Sequence, residues 1–167
     1  MLATIAALLT GEELVVRLGL PLATFVYCLL SGIVPFVNAE LFLLAVAAIA
    51  PPSSLWIVVA LATLGQMVAK TGMYLGGRGV IRLPFRRGKE DLEAVRARVE
   101  RWRSKDLLVF VSASSGLPPF FVLSILAGTL RFPFARFLAA GLAGRLVRFA
   151  VLVAVPGVGR WLAGGGP

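Results

Sequence analysis

The chain has 167 residues, of which 59% are hydrophobic, and its mean hydropathy is +0.91. A composition this apolar excludes an ordinary soluble domain and predicts a single integral membrane domain, all-α and polytopic. The net charge is +9, but the basic residues gather between apolar runs, which is typical of membrane-protein loops rather than of nucleic-acid binding. Histidine is absent and Cys28 is the only cysteine, so Cys/His metal sites, Ser-His-Asp triads and internal disulfides are excluded. We therefore expect no enzyme activity, no metal and no cofactor.

The first apolar block, residues 18–50, is interrupted near its middle by "VPFVNAE", which contains Pro35 and Asn38. Proline removes a backbone donor and disfavours helix in the residue before it. Each half has roughly ten to sixteen residues, fewer than the roughly 20 of a membrane span. The block therefore predicts a broken, re-entrant helical hairpin, with a full span as the alternative. Residues 1–17 lack the features of a cleaved signal peptide and are predicted to form an interfacial helix.

The second block, residues 54–77, is long and apolar enough to be a transmembrane span. Its small residues recur along one stripe that includes Gly65, Gly72 and Gly76. Small residues allow helix backbones to approach closely inside a membrane. This stripe is therefore the predicted packing face of the span.

Residues 78–105 form a strongly basic loop that holds most of the charged side chains. An excess of Lys and Arg marks cytoplasmic loops, so the loop is predicted to lie in the cytoplasm. Its second half has apolar residues at helical spacing among charges: Leu92, Val95, Val99 and Trp102. This pattern favours an amphipathic helix on the inner membrane surface, and a solvated helix is the alternative.

The third block, residues 107–130, is interrupted by "SASSGLPPFF", in which Gly116, Pro118 and Pro119 stand close together. Non-helical backbone at membrane depth persists only when protein covers it or it lines a wet cavity. The block therefore predicts a second re-entrant hairpin, facing the first.

The fourth block, residues 134–156, is predicted to be a second transmembrane span, and its Gly141 and Gly144 would allow close packing. The order along the chain is then hairpin, span, basic loop, hairpin, span. A cytoplasmic loop between the halves makes them an inverted pseudo-repeat, an arrangement found in transporters whose sites lie near the membrane midplane.

Four ionisable residues lie inside the apolar blocks: Glu40, Lys70, Arg145 and Arg148. A basic residue at the centre of a span costs about 2.5 to 3.5 kcal/mol on insertion scales, so these side chains are expected to face inward, pair, or contact water. We predict that they line a central polar site, with Lys70 reaching the headgroups as its alternative. Glu40 either forms an ion pair or exchanges a proton. Arg145 and Arg148, three residues apart, are suited to binding a phosphate.

Three segments together resemble a known family: "PFVNAELFLLAVAAIA", "LATLGQMVAKTGMYLGGRG" and "SASSGLPPFFVLSILAGTLRFPFARFLAAGLAGRLVRF". They resemble the DedA superfamily, also called SNARE-associated or VTT-domain proteins, and in particular its short YqaA-like branch. The resemblance implies two facing re-entrant hairpins in the cell inner membrane. It also implies transport of lipids: scrambling of phospholipids, or flipping of undecaprenyl phosphate or phospholipid, with proton coupling left open. Glu40 matches the acidic residue of the family's first hairpin.

The sequence also departs from the family. Better-known bacterial members carry arginines in the second hairpin, whereas the segment from Ser114 to Phe121 is uncharged here. A second acidic residue after Glu40 is missing as well. Arg131, Arg145 and Arg148 are the residues expected to act in place of those arginines.

The leading functional hypothesis is a flippase or scramblase for an anionic, phosphate-bearing lipid, located in the inner or plasma membrane. The alternatives are a proton- or ion-coupled transporter of a small anion and a non-transporting scaffold. The expected partners are membrane lipids, a homo-oligomer is left open, and no nucleic acid is expected.

Overall fold

The structure is a computed structural model that describes residues 12–34, 37–79 and 104–162. This part of the chain is all-helical and contains no strand, which agrees with the predicted fold class. It has six helices: α1 (Glu12–Ile33), α2 (Ala39–Ile49), α3 (Pro52–Gly77), α4 (Lys105–Ser115), α5 (Phe120–Thr129) and α6 (Phe134–Leu162). The predicted amphipathic helix of the basic loop lies outside the described residues.

Helix α1 contains a kink that only a glycine readily adopts. Gly19 has φ 73° and ψ 158°, far from helical values, and Pro21 follows it inside the helix. A φ in this range is sterically costly for residues with a Cβ, so glycine is the natural residue at this point. Of the predicted interfacial helix, residues 1–17, the structure describes only the part that begins at Glu12. Its location at the membrane interface stays a prediction.

A break separates α1 from α2 where the sequence predicts one. Helix α1 ends at Ile33, and α2 begins at Ala39 after Asn38, whose side-chain oxygen accepts the backbone N–H groups of Glu40 and Leu41 at 2.9 and 3.3 Å. Asparagine is a preferred residue at this position because it satisfies amides that lack a helical partner. Pro35 lies outside the described residues.

A second break separates α4 from α5. Helix α4 ends at Ser115 and is capped by Gly116, which is left-handed with φ 83°, and the Leu117–Pro118 peptide bond is cis. The Ser112 hydroxyl donates a hydrogen bond to the carbonyl of Pro118, so a side chain satisfies a carbonyl in the break. Pro119 then precedes the first residue of α5. The serines near this break satisfy backbone groups, as expected for non-helical chain within an apolar block.

Two helices are long and apolar enough to cross a membrane: α3, and the part of α6 from Phe134 to Val155. They match the predicted spans, residues 54–77 and 134–156, within two residues at each end. At about 1.5 Å per residue, helices of this length cover the roughly 30 Å of a bilayer core.

The chain divides into two compact units. One contains α1, α2, the first part of α3 and the last part of α6; its core is built around Tyr27 and Phe42, whose rings stack with centroids 4.4 Å apart. The other contains the last part of α3, α4, α5 and the first part of α6. Its core holds Tyr74, stacked on Phe137 at 4.9 Å, with Phe120 at 6.0 Å from Phe137.

Several glycines lie where a side chain would collide with a neighbouring helix. A Cβ on Gly65 would overlap the Phe25 carbonyl oxygen, and one on Gly144 would lie 2.6 Å from the Phe110 carbonyl oxygen. A Cβ on Gly141 would similarly lie 2.7 Å from Cε at the end of the Met67 side chain. These three predicted packing glycines therefore lie at close helix contacts.

Gly72 differs from these three glycines, because a Cβ at this position would meet nothing within 4 Å. Its neighbour in the predicted stripe, Gly76, accepts the Gly79 amide through its carbonyl. The tightest contacts in this unit lie instead at Gly77 and Gly128, which the sequence did not single out. A Cβ on either would overlap a backbone carbonyl, of Ile125 or Tyr74 respectively. A stripe of small residues marks a face of the helix but not which residues the partner helix crosses.

Candidate functional site

Glu40 forms an ion pair with Arg148 in the first unit. The first turn of α2 carries Glu40, and both Nε and Nη2 of Arg148 in α6 donate to its Oε1, with 3.0 Å between Nε and Oε1. The Glu40 side chain is 41% exposed and that of Arg148 is 21% exposed. Glu40 also lies at the N-terminus of α2, where the helix dipole stabilises a negative charge. The ion pair that the sequence offered as one interpretation of Glu40 is therefore present.

A polar contact that the sequence analysis missed lies in the same unit. The Gln66 side-chain amide donates to the Ser31 hydroxyl at 2.6 Å, and that hydroxyl donates to the Cys28 carbonyl at 2.9 Å. Gln66 is buried on α3, one turn from Thr63, whose buried hydroxyl finds no hydrogen-bond partner among the described residues. The signal was a glutamine within a predicted span, because a buried amide needs a partner.

Lys70 and Arg145 form a buried cationic cluster in the second unit. Lys70 is 5% exposed and Arg145 is 9% exposed, and the two are close enough to interact electrostatically. The Lys70 Nζ atom also lies 4.0 Å from the Met73 sulfur. Because the Lys70 side chain is enclosed by protein, the structure gives no support to the alternative that it extends along the surface to the headgroups.

The Arg145 guanidinium lies beside the second helix break. Its Cζ atom is 5.1 Å from the ring centroid of Phe120, the first residue of α5. This is cation–π distance, an interaction that gains strength when the cation is removed from water. The break itself, from Ser114 to Phe121, is uncharged, but the first part of α6 brings a buried arginine against it.

Arg131 lies elsewhere in the second unit, at a cavity of about 280 Å³ whose lining contains neither Lys70 nor Arg145. Lys105 and Arg136 line the same cavity. The lining of this cavity does not join the exposed Arg131 to Lys70 and Arg145, and a site shared by the three side chains stays a prediction.

The structure thus brings Glu40 to Arg148 and Lys70 to Arg145, each pair within its own unit. A single polar site lined by all four side chains stays a prediction. No group of three or more potential metal ligands occurs among the described residues.

Comparison with known proteins adds the family. The model of the VTT domain matches residues 34–156, which is most of the chain. The chain belongs to the VTT-domain family. This is the DedA or SNARE-associated family that the sequence resembles, and its members are generally membrane proteins proposed to act as transporters or flippases. No curated protein and no solved structure gave a significant match. VTT-domain membership, together with two membrane-length apolar helices, identifies the chain as a membrane protein.

Proposed function

We propose that this VTT-domain protein moves an anionic, phosphate-bearing lipid between the two leaflets of the membrane. The observation that carries the proposal is the burial of Lys70 and Arg145 close together in the second unit. Ionisable groups within membrane segments are costly, and they commonly mark the pathway of a substrate or an ion.

A phosphate suits this cluster chemically. Two neighbouring cations in a poorly solvated environment repel each other, and an anion between them would lower that repulsion. The Arg145 guanidinium remains charged and presents a fork of donors that matches phosphate oxygens, while Lys70 acts as a compact point charge. An undecaprenyl phosphate or an anionic phospholipid carries such a head group.

The Glu40–Arg148 pair is assigned a gating role in this proposal. Both side chains retain partial exposure, so the pair can open without first extracting two fully buried charges. An open pair would present Arg148 to the lipid phosphate and leave Glu40 to exchange a proton or remain ionised. Proton coupling of the transport step is therefore assigned to Glu40 alone, since the sequence lacks the second acidic residue of other members.

The two broken helix pairs are proposed to be re-entrant hairpins related by an inverted repeat. Helices α2 and α5 have 11 and 10 residues, so each is about 15 to 17 Å long, roughly half a bilayer core. Each unit contains one broken pair and parts of both long helices, which supports the repeat. The basic loop, residues 78–105, is proposed to lie in the cytoplasm because of its positive charge, and the protein is proposed to lie in the inner or plasma membrane.

The test is a lipid-translocation assay on the purified protein in liposomes. Fluorescent phospholipid and undecaprenyl phosphate are loaded in one leaflet, and their arrival in the other is followed by quenching or enzymatic access. We expect wild type to move at least one of them. Lys70→Met and Arg145→Met should abolish the movement, whereas Arg78→Gln should retain it, since Arg78 is exposed and lies just past the C-terminal end of α3. Wild type that moves neither lipid contradicts the proposal, and uptake of a soluble anion without lipid movement would indicate small-anion transport instead.

A structural role without transport is the second candidate function, and the Glu40–Arg148 ion pair favours it. A scaffold requires only that the two charges attract each other. The exchanged variant Glu40→Arg/Arg148→Glu would then fold and complement a deletion strain as well as wild type. Loss of complementation by a folded exchanged variant would favour a transport role for the pair.

A further inference from the structure

The cavity in the second unit has a mixed apolar and cationic lining. It lies where the start of α4, the end of α5 and the connection into α6 meet, and its volume is about 280 Å³. Its apolar wall is formed by side chains from α4 and α5: Leu108, Val109, Leu123, Ala127 and Leu130. Because the first turn of α4 and the last turn of α5 line one cavity, these two helices run antiparallel.

Three cations line the same cavity: Lys105, Arg131 and Arg136. Asp106 offsets part of this charge through its ion pair with Arg136, in which Nη2 donates to Oδ2. Both members of the pair are partly exposed, so the pair stays hydrated. A positive charge remains at Lys105 and Arg131 beside an apolar wall, which is complementary to an anionic amphiphile.

The backbone at Arg131 is unusual for an arginine. Helix α5 ends in a Schellman motif, in which the Phe132 amide donates to the Ala127 carbonyl at 2.9 Å and the Arg131 amide to the Gly128 carbonyl at 3.0 Å. Arg131 occupies the left-handed position of this motif with φ 52°, where glycine is the usual residue. The left-handed conformation costs a residue with a Cβ about 1 to 2 kcal/mol. Arg131 thus has an unfavourable backbone conformation and also lines the cavity. Unfavourable backbone conformations of this kind cluster at functional sites.

In the proposed topology, the cavity lies at the level of the lipid head groups of the cytoplasmic leaflet. Arg136 is in the first turn of α6, a membrane-length helix, and Lys105 is the first residue of α4, next to the basic loop. Basic pockets between membrane helices on the cytoplasmic side bind anionic lipid head groups.

We propose that this cavity binds the phosphate of an anionic phospholipid through Lys105 and Arg131, with an acyl chain along its apolar wall, as a lipid retained at the protein surface. The inference goes beyond the proposed function, because the bound lipid is not required to cross the membrane and the cavity does not include Lys70 or Arg145.

The decisive variant is Lys105→Gln/Arg131→Gly. Glycine at position 131 keeps the left-handed backbone without strain, so the single variant Arg131→Gly is expected to be at least as thermally stable as wild type. Each cation near an anionic lipid surface contributes about fivefold to affinity, so removing both should weaken binding by about thirtyfold. Arg78→Gln removes one positive charge from an exposed residue outside the cavity lining and is the control for the loss of a cation elsewhere in the same unit.

Binding is measured on the purified full-length protein in a neutral detergent by native mass spectrometry with titrated phosphatidylglycerol. We expect wild type and Arg78→Gln to retain one lipid more tightly than the double variant does, and phosphatidylcholine to bind weakly to all three. Equal retention of phosphatidylglycerol by wild type and the double variant overturns the proposal, as does equal binding of the two lipids by wild type. If glycerol 1-phosphate displaced bound phosphatidylglycerol at the same concentration as free phosphatidylglycerol does, the apolar wall would contribute nothing to binding. That result would overturn the proposal too. These readouts involve no lipid movement, so they are independent of the translocation assay.

Discussion

Residue scale: the buried cations of the second unit determine what kind of site this chain can form. Lys70 and Arg145 are both nine-tenths or more buried and interact with each other electrostatically. Like charges in a poorly polarisable environment oppose folding, and such groups are retained where they serve a function. Removing the charge of Lys70 should therefore preserve or raise the stability of the protein while it abolishes lipid transport.

Lys70→Met is expected to leave stability unchanged or to raise it, because an apolar side chain of similar length replaces a buried charge that Arg145 repels. Transport should be lost in the same variant. Unfolding in detergent by heat or by sodium dodecyl sulfate measures the first effect, and the liposome assay measures the second. Destabilisation by more than about 2 kcal/mol would instead assign Lys70 a structural role.

The Glu40–Arg148 pair is expected to make a modest contribution to stability, because both side chains are partly exposed. Exposed ion pairs contribute about 0.2 to 1 kcal/mol in double-mutant cycles. A double-mutant cycle consists of Glu40→Gln, Arg148→Gln and the double variant. Thermal unfolding of these proteins should give a coupling energy in this range. A coupling near zero would show that the ion pair does not form in the folded protein in detergent.

Element scale: close helix contacts in the second unit depend on the absence of a side chain. Gly128 in α5 lies against the Tyr74 backbone in α3, whereas Gly72 in α3 has open space where a Cβ would be. The Tyr74 hydroxyl further ties α3 to the carbonyl of Phe132 just after α5. The Thr129 hydroxyl of α5 also donates to the Gly77 carbonyl of α3 at 3.1 Å, so backbone proximity and two hydrogen bonds hold the α3–α5 contact.

Gly128→Ala should therefore destabilise the protein by about 1 to 3 kcal/mol, since overpacking forces the two backbones apart. Gly72→Ala is the matched control and should be neutral or stabilising by about 0.5 to 1 kcal/mol, because alanine is the better residue inside a helix. Both values come from unfolding curves of purified protein in the same detergent. If the two substitutions had equal effects, α3 and α5 would not be in close contact at Gly128.

Whole-molecule scale: the proposed topology makes the second break a point reached by water from the cytoplasm. Leu117 in this break is 73% exposed, and Val151 on α6 is 61% exposed. The two side chains have similar exposed fractions, but in the proposed re-entrant topology Leu117 contacts water and Val151 contacts lipid. Reactivity toward a water-soluble thiol reagent distinguishes these environments.

Leu117→Cys is therefore expected to react quickly with a small, charged thiol reagent supplied from the cytoplasmic side, and Val151→Cys slowly or not at all. Thiolates form only where water solvates them, which is the physical basis of the difference. Buried Cys28, the only native cysteine, sets a low background that is measured in wild type. Equal labelling of both positions, or labelling of Leu117→Cys from the far side only, would contradict the proposed topology.

The sequence predicted the helical class, the two membrane-length helices and the presence of both breaks. These features are local: apolar run length sets whether a helix can cross a bilayer, and Pro35, Gly116, Pro118 and Pro119 disfavour continuous helix whatever surrounds them. Asn38 is a further local signal, and it caps α2 as its residue type favours.

Only the tertiary structure decided which charges meet and which glycines are covered. The sequence predicted an ion pair as one role of Glu40 without identifying its partner. The fold pairs Glu40 with Arg148 and places Arg131 in a cavity with Lys105 and Arg136. Gly72 and Gly128 are equally small, yet only Gly128 faces a neighbouring backbone. The physical reason is that pairing and close packing depend on how helices distant in sequence are rotated and crossed. The residues of one segment do not encode that geometry by themselves.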